Sequence, residues 1–282
     1  MYENFYQFAA KPFQLSPDPR FFFSSRGHRR AMSYLVYGAN QGEGFIVITG
    51  EVGAGKTMLA RMLARKLESQ NLVMAQVVST QLEADDMVRM VAAAFNLPPE
   101  SNKAILLRNL EQFFLTCHKH GRRALLLVDE AQNLPLKSVE ELRMLSNFQH
   151  GNKTLLQSFL LGQPEFRRTL QRPELEQLRQ RIIASCHLGP IEAAETESYI
   201  MHRLKMVGWS GDPSFSADTY PAIYQYTGGI PRKINLFCDR LLLMGQLDEI
   251  HAFSAKEVEE VIAELQQEFA PLAPQFDSGA VS

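Results

Sequence analysis

With 282 residues, 45% of them hydrophobic and 21% charged, the chain has ordinary globular composition and enough apolar material for a packed core, which excludes wholesale disorder. Its length exceeds the usual single-domain size, so one α/β domain plus a smaller partner is the starting expectation. A formal net charge of -2 gives no global electrostatic reason to expect nucleic acid or an anionic membrane as the main partner.

In chain order, residues 1–25 are rich in Phe, Pro and Ser, and KPFQLSPDPRFFF reads as an irregular aromatic arm whose rings need a surface to cover. From His28 to about Asn40, Met32, Leu35, Val36 and Ala39 fall at helical spacing. Residues 45–49, FIVIT, form a short apolar, β-branched run ending in glycine, the pattern of a strand buried on both faces. MLARMLARKLES then reads as a strong helix. Further strands are expected at 73–78, 124–128 and 155–161, separated by helices at about 85–95, 103–118 and 138–148. This alternation implies a parallel sheet. After His187 the strand signals cease, and helices follow at about 194–207, 216–227, 231–245 and 254–268, the last opened by a capping box of Ser254 and Glu257. The APLAPQFDSGAVS tail has the composition of a frayed end.

The three cysteines, Cys117, Cys186 and Cys238, lie too far apart in sequence for a disulfide framework or a zinc-type pair to be drawn from them, which fits a reducing cytoplasm. The seven histidines form no HExxH pattern, and no protein-bound transition metal is expected. MYENFYQFAAKPF lacks the basic start and apolar core of a secretory signal, and no apolar run approaches the length of a membrane span. The expectation is a soluble cytoplasmic protein, able to dock peripherally on a complex at the inner membrane.

Chemistry begins at Gly50, where GEVGAGKT satisfies GxxxxGK[ST] between an expected strand and an expected helix. Such glycines let backbone N–H groups wrap around phosphates, and the helix starting near Lys56 adds a partial positive charge at its N-terminus. Gly50, Glu51, Val52, Gly53, Ala54, Gly55, Lys56, Thr57 and Met58 are therefore the expected nucleotide contacts. Lys56 should neutralise β and γ oxygens, and the Thr57 hydroxyl should take one position on Mg²⁺. In ALLLVDEAQ an apolar strand ends at Asp129 and Glu130, at the sheet edge where open α/β folds bind ligands. Asp129 would hold the Mg²⁺ of ATP, and Glu130 would orient or deprotonate the attacking water. The catalytic glutamate favours hydrolysis over transfer to a second substrate.

GEVGAGKT, LLLVDEAQ, LLGQPEF, LRQRI and GGIPRKIN, in this order, resemble the AAA+ ATPases over roughly residues 1–268. More narrowly, PFQLSPDPRFFFSSRGHRRAMSYLVYG running into GEGFIVITGEVGAGKT resembles the general secretion pathway protein A type, and closest of all the branch associated with exosortase and PEP-CTERM exopolysaccharide loci. The resemblance implies a role in secretion or polysaccharide export alongside membrane-associated components. Longer members of the secretion family continue into a membrane span and a peptidoglycan-binding region, which this sequence does not contain. The resemblance also makes Gln163 a sensor 1 residue near the γ-phosphate and Arg232 a sensor 2 residue. It makes Arg181, in preference to Arg179, an arginine finger given to a neighbouring subunit, and hence the chain a homo-oligomer. Residues near Phe22 to His28 either line the adenine pocket or simply pack.

The fold expected is a P-loop NTPase base domain over residues 1–190, with a five-stranded parallel sheet sandwiched by helices. A small all-α lid over 191–268 and a flexible tail over 269–282 follow, with ATP and Mg²⁺ between base and lid. Three rivals are a P-loop kinase, which the Asp129-Glu130 pair and LRQRI argue against, a DNA-binding transposition-type AAA+ helper, against which the near-neutral charge weighs mildly, and a nucleotide switch that hydrolyses slowly.

Overall fold

In the computed structural model the described residues are 2–67, 71–78, 84–100 and 102–268, so the expected flexible tail, 269–282, lies outside them. The chain divides into two compact units: Ser16–Glu192 together with Ile230–Arg232, and the remainder. A short opening helix, α1 (Tyr2–Phe5), belongs to the second unit.

The larger unit starts with α2 (Arg26–Gln41), whose N-cap Ser25 accepts a hydrogen bond from the His28 amide and whose C-cap Gly42 takes the left-handed conformation. It continues through β1 (Phe45–Gly50), α3 (Lys56–Leu67), β2 (Leu72–Val78), α4 (Ala84–Ala94), α5 (Lys103–Lys119) and β3 (Arg123–Asp129). After α6 (Leu136–Leu145) come the small hairpin of β4 (Gln149–His150) and β5 (Lys153–Thr154), then β6 (Leu156–Gly162), α7 (Pro164–Leu170), α8 (Glu176–Arg179) and β7 (Ile182–Leu188). The five long strands form one parallel sheet in the order β2-β3-β6-β1-β7.

Side chains alternate across this sheet because strand geometry has a period of two. Phe45 and Val47 of β1 face a core built with α4, α5 and α6, whereas Ile46 and Ile48 face Leu35 of α2 and Leu59 and Leu63 of α3. Both faces of β1 are thus covered, and every one of its residues is buried. Each fully buried side chain of this kind contributes roughly 1.5–3 kcal/mol. The four strands expected from apolar runs are present within a residue or two of their expected bounds. The fifth, β7, lies at a sheet edge, and half-buried positions alternate with exposed ones along it up to the buried Leu188.

The second unit contains α9 (Ala193–Lys205), α10 (Thr219–Thr227), α11 (Pro231–Leu247), whose first two residues count with the larger unit, and α12 (Ala255–Glu268). The expected all-helical region also carries one short parallel pair, β8 (Ser214–Phe215) with β9 (Ala252–Phe253). The capping box at α12 forms: Glu257 Oε2 accepts from the Ser254 amide at 2.7 Å, and Ser254 Oγ accepts from the Lys256 amide at 3.3 Å.

The residues through Leu15, expected in the base domain, group with the helical unit. Tyr2, Tyr6, Phe8 and Phe13 are buried there. Backbone and side chain both tie the arm down: the Ala9 amide donates to Val207 O at 2.9 Å and the Tyr6 hydroxyl to Ile250 O at 2.8 Å. Arg203 donates to Pro12 O at 2.7 Å and to Gln14 O at 3.1 Å, and it is buried because these carbonyls satisfy its guanidinium.

Candidate functional site

The strand order puts β6 between β3 and β1, so three strand ends converge at one sheet edge. Val128 pairs in register with Leu160, and Thr49 with Gly162. Asp129, Gln163 and the loop after Gly50 therefore come together although more than a hundred residues separate the first and last of these motifs. Ligands bind at such carboxyl ends in open α/β sheets, where strand order reverses and the loops leave a crevice.

The loop from Gly50 to Gly55 requires its glycines. A Cβ on Gly50 would stand 2.4 Å from Leu188 O, and one on Gly53 would stand 2.4 Å from Arg232 Cβ. Gly53 and Gly55 also have positive φ, 81° and 97°. Lys56, only 7% exposed, opens α3 and donates from Nζ to Gly50 O at 2.8 Å and Glu51 O at 3.0 Å. Burial pulls its ammonium below the ordinary lysine range, while the carboxylates of Glu130, Asp129, Glu51 and Glu165 oppose the shift. The cation is thus held within its own loop by oxygen acceptors. Val52 is exposed and Met58 half-buried on either side of it.

Thr57 Oγ1 donates to Asp129 Oδ2 at 2.7 Å, which places a hydroxyl and a carboxylate of separate motifs side by side. Asp129 is 6% exposed, and its other oxygen accepts from the Glu130 amide at 2.9 Å. Two hard oxygen donors beside a glycine cradle and a buried lysine fit an Mg²⁺-nucleotide, since Mg²⁺ takes one or two protein oxygens along with phosphate.

Glu130 has φ 54° and ψ 39°, a left-handed conformation that costs a residue bearing a Cβ roughly 1–2 kcal/mol. It caps a short 3₁₀ turn, Ala131–Asn133, and this turn folds the side chain of Gln132 back onto Glu130. Gln132 Nε2 donates to Glu130 Oε2 at 2.6 Å, and Gln163 Nε2 donates to the same oxygen at 3.3 Å. Gln132 Oε1 accepts from the Gln163 amide at 2.9 Å and closes the network. The expected sensor residue Gln163 thus touches the expected base. Gln132 went unnoticed in the sequence, where its one signal was an amide two residues beyond the acidic pair.

The arginines expected to act on nucleotide are placed differently from one another. The Arg232 amide donates to Gly53 O at 3.3 Å, with its side chain exposed beside the loop. Arg181 is half-buried and donates to Ser146 Oγ at 3.0 Å, and Arg179 donates to Leu170 O and Arg172 O at 2.9 and 3.0 Å. No hydrogen bond or ion pair among the described residues joins either to Lys56, Asp129 or Glu130. In the segment Phe22 to His28, the Phe22 ring meets the His28 ring edge-on at 5.5 Å, and His28 lies against the phosphate loop.

Residues 39–170 match the family described as AAA domain. General secretion pathway protein A of Aeromonas hydrophila is 36% identical over 245 residues, which cover 86% of this chain and 44% of that protein. The chain therefore spans less than half the length of this curated relative. Among solved structures, the ADP form of the Aeropyrum pernix ORC2 protein gives a TM-score of 0.68 at 15% identity, over 93% of this chain and 74% of that one. CDC6P from Pyrobaculum aerophilum gives 0.68 at 14% identity, over 90% and 70%. The Thermotoga maritima RuvB Holliday junction branch migration motor gives 0.57 at 16% identity, over 85% and 68%. At such identities the likeness is one of fold. The parallel sheet in this strand order, the loop at the end of β1, the AAA domain match and these neighbours agree: the chain has the fold of the AAA+ P-loop NTPases.

Proposed function

We propose that the protein is an Mg²⁺-dependent ATPase of the general secretion pathway protein A type. The observation that carries this reading is the joining of the two motifs at one sheet edge, with Thr57 bonded to Asp129 at 2.7 Å and Glu130 immediately beyond. The glycine loop and Lys56 bind the phosphates of ATP through amides and a cation. Thr57 and Asp129 would hold Mg²⁺, which when bound neutralises phosphate charge. Glu130 accepts a proton from the attacking water, and the amides of Gln132 and Gln163 fix its carboxylate by engaging Oε2. Because both amides share that oxygen, Oε1 remains the acceptor for water.

The relative's name concerns secretion, and its 36% identity supports coupling of hydrolysis here to a membrane-associated secretion system. Among the described residues no helix is long and apolar enough to cross a membrane. The coupling proposed is with partner proteins at the inner membrane. The narrower reading, export of exopolysaccharide at an exosortase-type locus, rests on the resemblance of the segment from Pro12 to Gly38. Homo-oligomerisation through Arg181 completes the proposal.

The test is release of phosphate from ATP. Lys56→Ala should abolish nucleotide binding, because the loop loses its point charge. Glu130→Gln should keep binding but slow hydrolysis on the order of 10²- to 10⁴-fold, the scale of a positioned base. Unchanged affinity in the first variant would sink the nucleotide assignment, and unchanged turnover in the second would remove Glu130 from the chemistry. The secretion reading fails if a strain carrying Lys56→Ala on the chromosome exports surface polysaccharide and protein normally.

A further inference from the structure

His28 takes no part in the reading above, yet it is among the most enclosed titratable groups of the larger unit, at 5% exposure. It stands in the first turn of α2, one helix away from the loop in sequence but against it in space: a Cβ built on Gly55 would come within 3.1 Å of His28 Nε2. Its other ring nitrogen, Nδ1, is 2.7 Å from Ser25 Oγ.

Ser25 Oγ accepts from the His28 amide at 3.2 Å, and with a second lone pair and a hydrogen to spare it can either accept from Nδ1 or donate to it. Nε2 faces the loop at Gly55, and the backbone of Ala54 favours a protonated imidazole, the effect of a carbonyl facing the ring. A ring proton on Nε2 meets that carbonyl and leaves Ser25 to donate to Nδ1. Burial keeps the ring neutral, pushing its pKa down to about 4, so the contact adds no second cation beside Lys56.

Peptide planarity turns this bond into a statement about the site. In a trans peptide the C=O of Ala54 and the N–H of Gly55 point in opposite directions. With the carbonyl turned toward His28, the Gly55 amide is turned away from it. Gly55, with φ 97°, has no Cβ to keep the ring at a distance. Inward-pointing N–H groups are what give such a loop its affinity for phosphate.

We propose that His28 is a positioning residue of the nucleotide site, bracing the phosphate loop from behind through the Ala54 carbonyl and so holding the Gly55 amide on the phosphates. This inference rests on the nucleotide reading given above. It gives His28 a role distinct from the two expected for its segment, lining the base pocket or simply packing.

The experiment compares Mg²⁺-ADP affinity by titration calorimetry in the wild type, His28→Leu, His28→Asn and His28→Gln. Leucine keeps apolar bulk, asparagine keeps an amide near Ser25 but cannot reach Ala54, and glutamine places an N–H donor where Nε2 stands. Leucine and asparagine should weaken ADP binding about 10-fold, the scale of one hydrogen bond, and glutamine should restore it to within about 3-fold. Glutamine as weak as leucine, or leucine as tight as wild type, would overturn the brace. A second measurement needs no substitution: the imidazole nitrogen spectrum of wild-type protein should show the Nε2–H form of His28, and the Nδ1–H form would equally overturn it. A wild type that binds no ADP counts against the nucleotide reading, while the ring spectrum still decides the contact with Ala54.

Discussion

Gln132→Ala tests whether the amide network around Glu130 matters for turnover. The substitution removes the 2.6 Å bond to Glu130 Oε2 and the 2.9 Å acceptor of the Gln163 amide, while the 3.3 Å bond from Gln163 Nε2 remains. A hydrogen bond to a charged group contributes about 1.5–3 kcal/mol, and each 1.4 kcal/mol of barrier is a factor of ten in rate. The surviving bond is the longer of the two, so it replaces only part of the loss, and kcat should fall about 10- to 100-fold. KM should change little, because Gln132 makes no hydrogen bond to Lys56, Thr57 or Asp129 among the described residues. Steady-state phosphate release over a range of ATP concentrations separates the two constants. A kcat equal to or above that of wild type would refute the argument, the latter by showing that the amides restrain Glu130 rather than orient it. Gln132→Asn, whose amide is one methylene short of Oε2, should behave like the alanine variant.

Three further outcomes follow from the same geometry. Gly53→Ala places a Cβ 2.4 Å from Arg232 Cβ at a φ of 81°; left-handed strain alone costs about 1–2 kcal/mol, so ADP affinity should drop about 10-fold or more in calorimetry, and an undiminished affinity would mean the loop relaxes freely. His28 titrates near 6.5 unfolded and about 4 folded, so between those values the unfolded chain binds more protons and stability falls as pH is lowered, by about 3 kcal/mol in total. Urea midpoints at pH 7 and pH 5 should diverge more for wild type than for His28→Gln, and parallel behaviour would discard the linkage. Arg181→Ala should lose about 10³- to 10⁵-fold in turnover if the side chain is given across a subunit boundary. Mixed with Glu130→Gln it should then regain activity, and a mixture as inactive as its parts returns Arg181 to its bond with Ser146.

The parts of this site that could be read from sequence are those whose chemistry depends on neighbours along the chain. Gly50 to Thr57 is eight consecutive residues whose backbone alone makes a phosphate cradle, and Asp129-Glu130 announces itself because the preceding ALLLV is buried on both faces. Strands β1, β2, β3 and β6 were located for the same reason, as continuous apolar runs. β7 was required by the expected five-stranded sheet but not located, because its sequence, IIASCHL behind the basic LRQRI, puts Ser185 and His187 among its apolar residues, alternates half-buried with exposed positions up to the buried Leu188, and so loses the uninterrupted apolar signature. The aromatic arm was rightly expected to need a surface, yet ring-rich composition carries no information about which surface. The carbonyls of Pro12 and Gln14 that satisfy Arg203 decide that point, nearly two hundred residues away.

Gln132 and His28 lie on the far side of this divide. Nothing in DEAQ alone says that the last residue turns back onto the second, because that depends on Glu130 adopting the left-handed conformation at the strand end. Once it does, the i+2 side chain lies over the carboxylate, and the pairing of β3 with β6 brings Gln163 to the same oxygen from 33 positions away. His28 likewise gains its meaning only when α2 packs beside α3, under the loop that precedes it. Both residues act on groups already recognised, one on the base and one on a cradle amide, and neither is expected to touch nucleotide. Their effects should therefore be separable: Gln132 variants should move kcat at constant ADP affinity, and His28 variants should move ADP affinity first. An opposite pattern, with Gln132→Ala impairing binding and His28→Leu impairing only turnover, would mean that the loop and the carboxylate are one coupled unit, with the strained turn at Glu130 as the link between them.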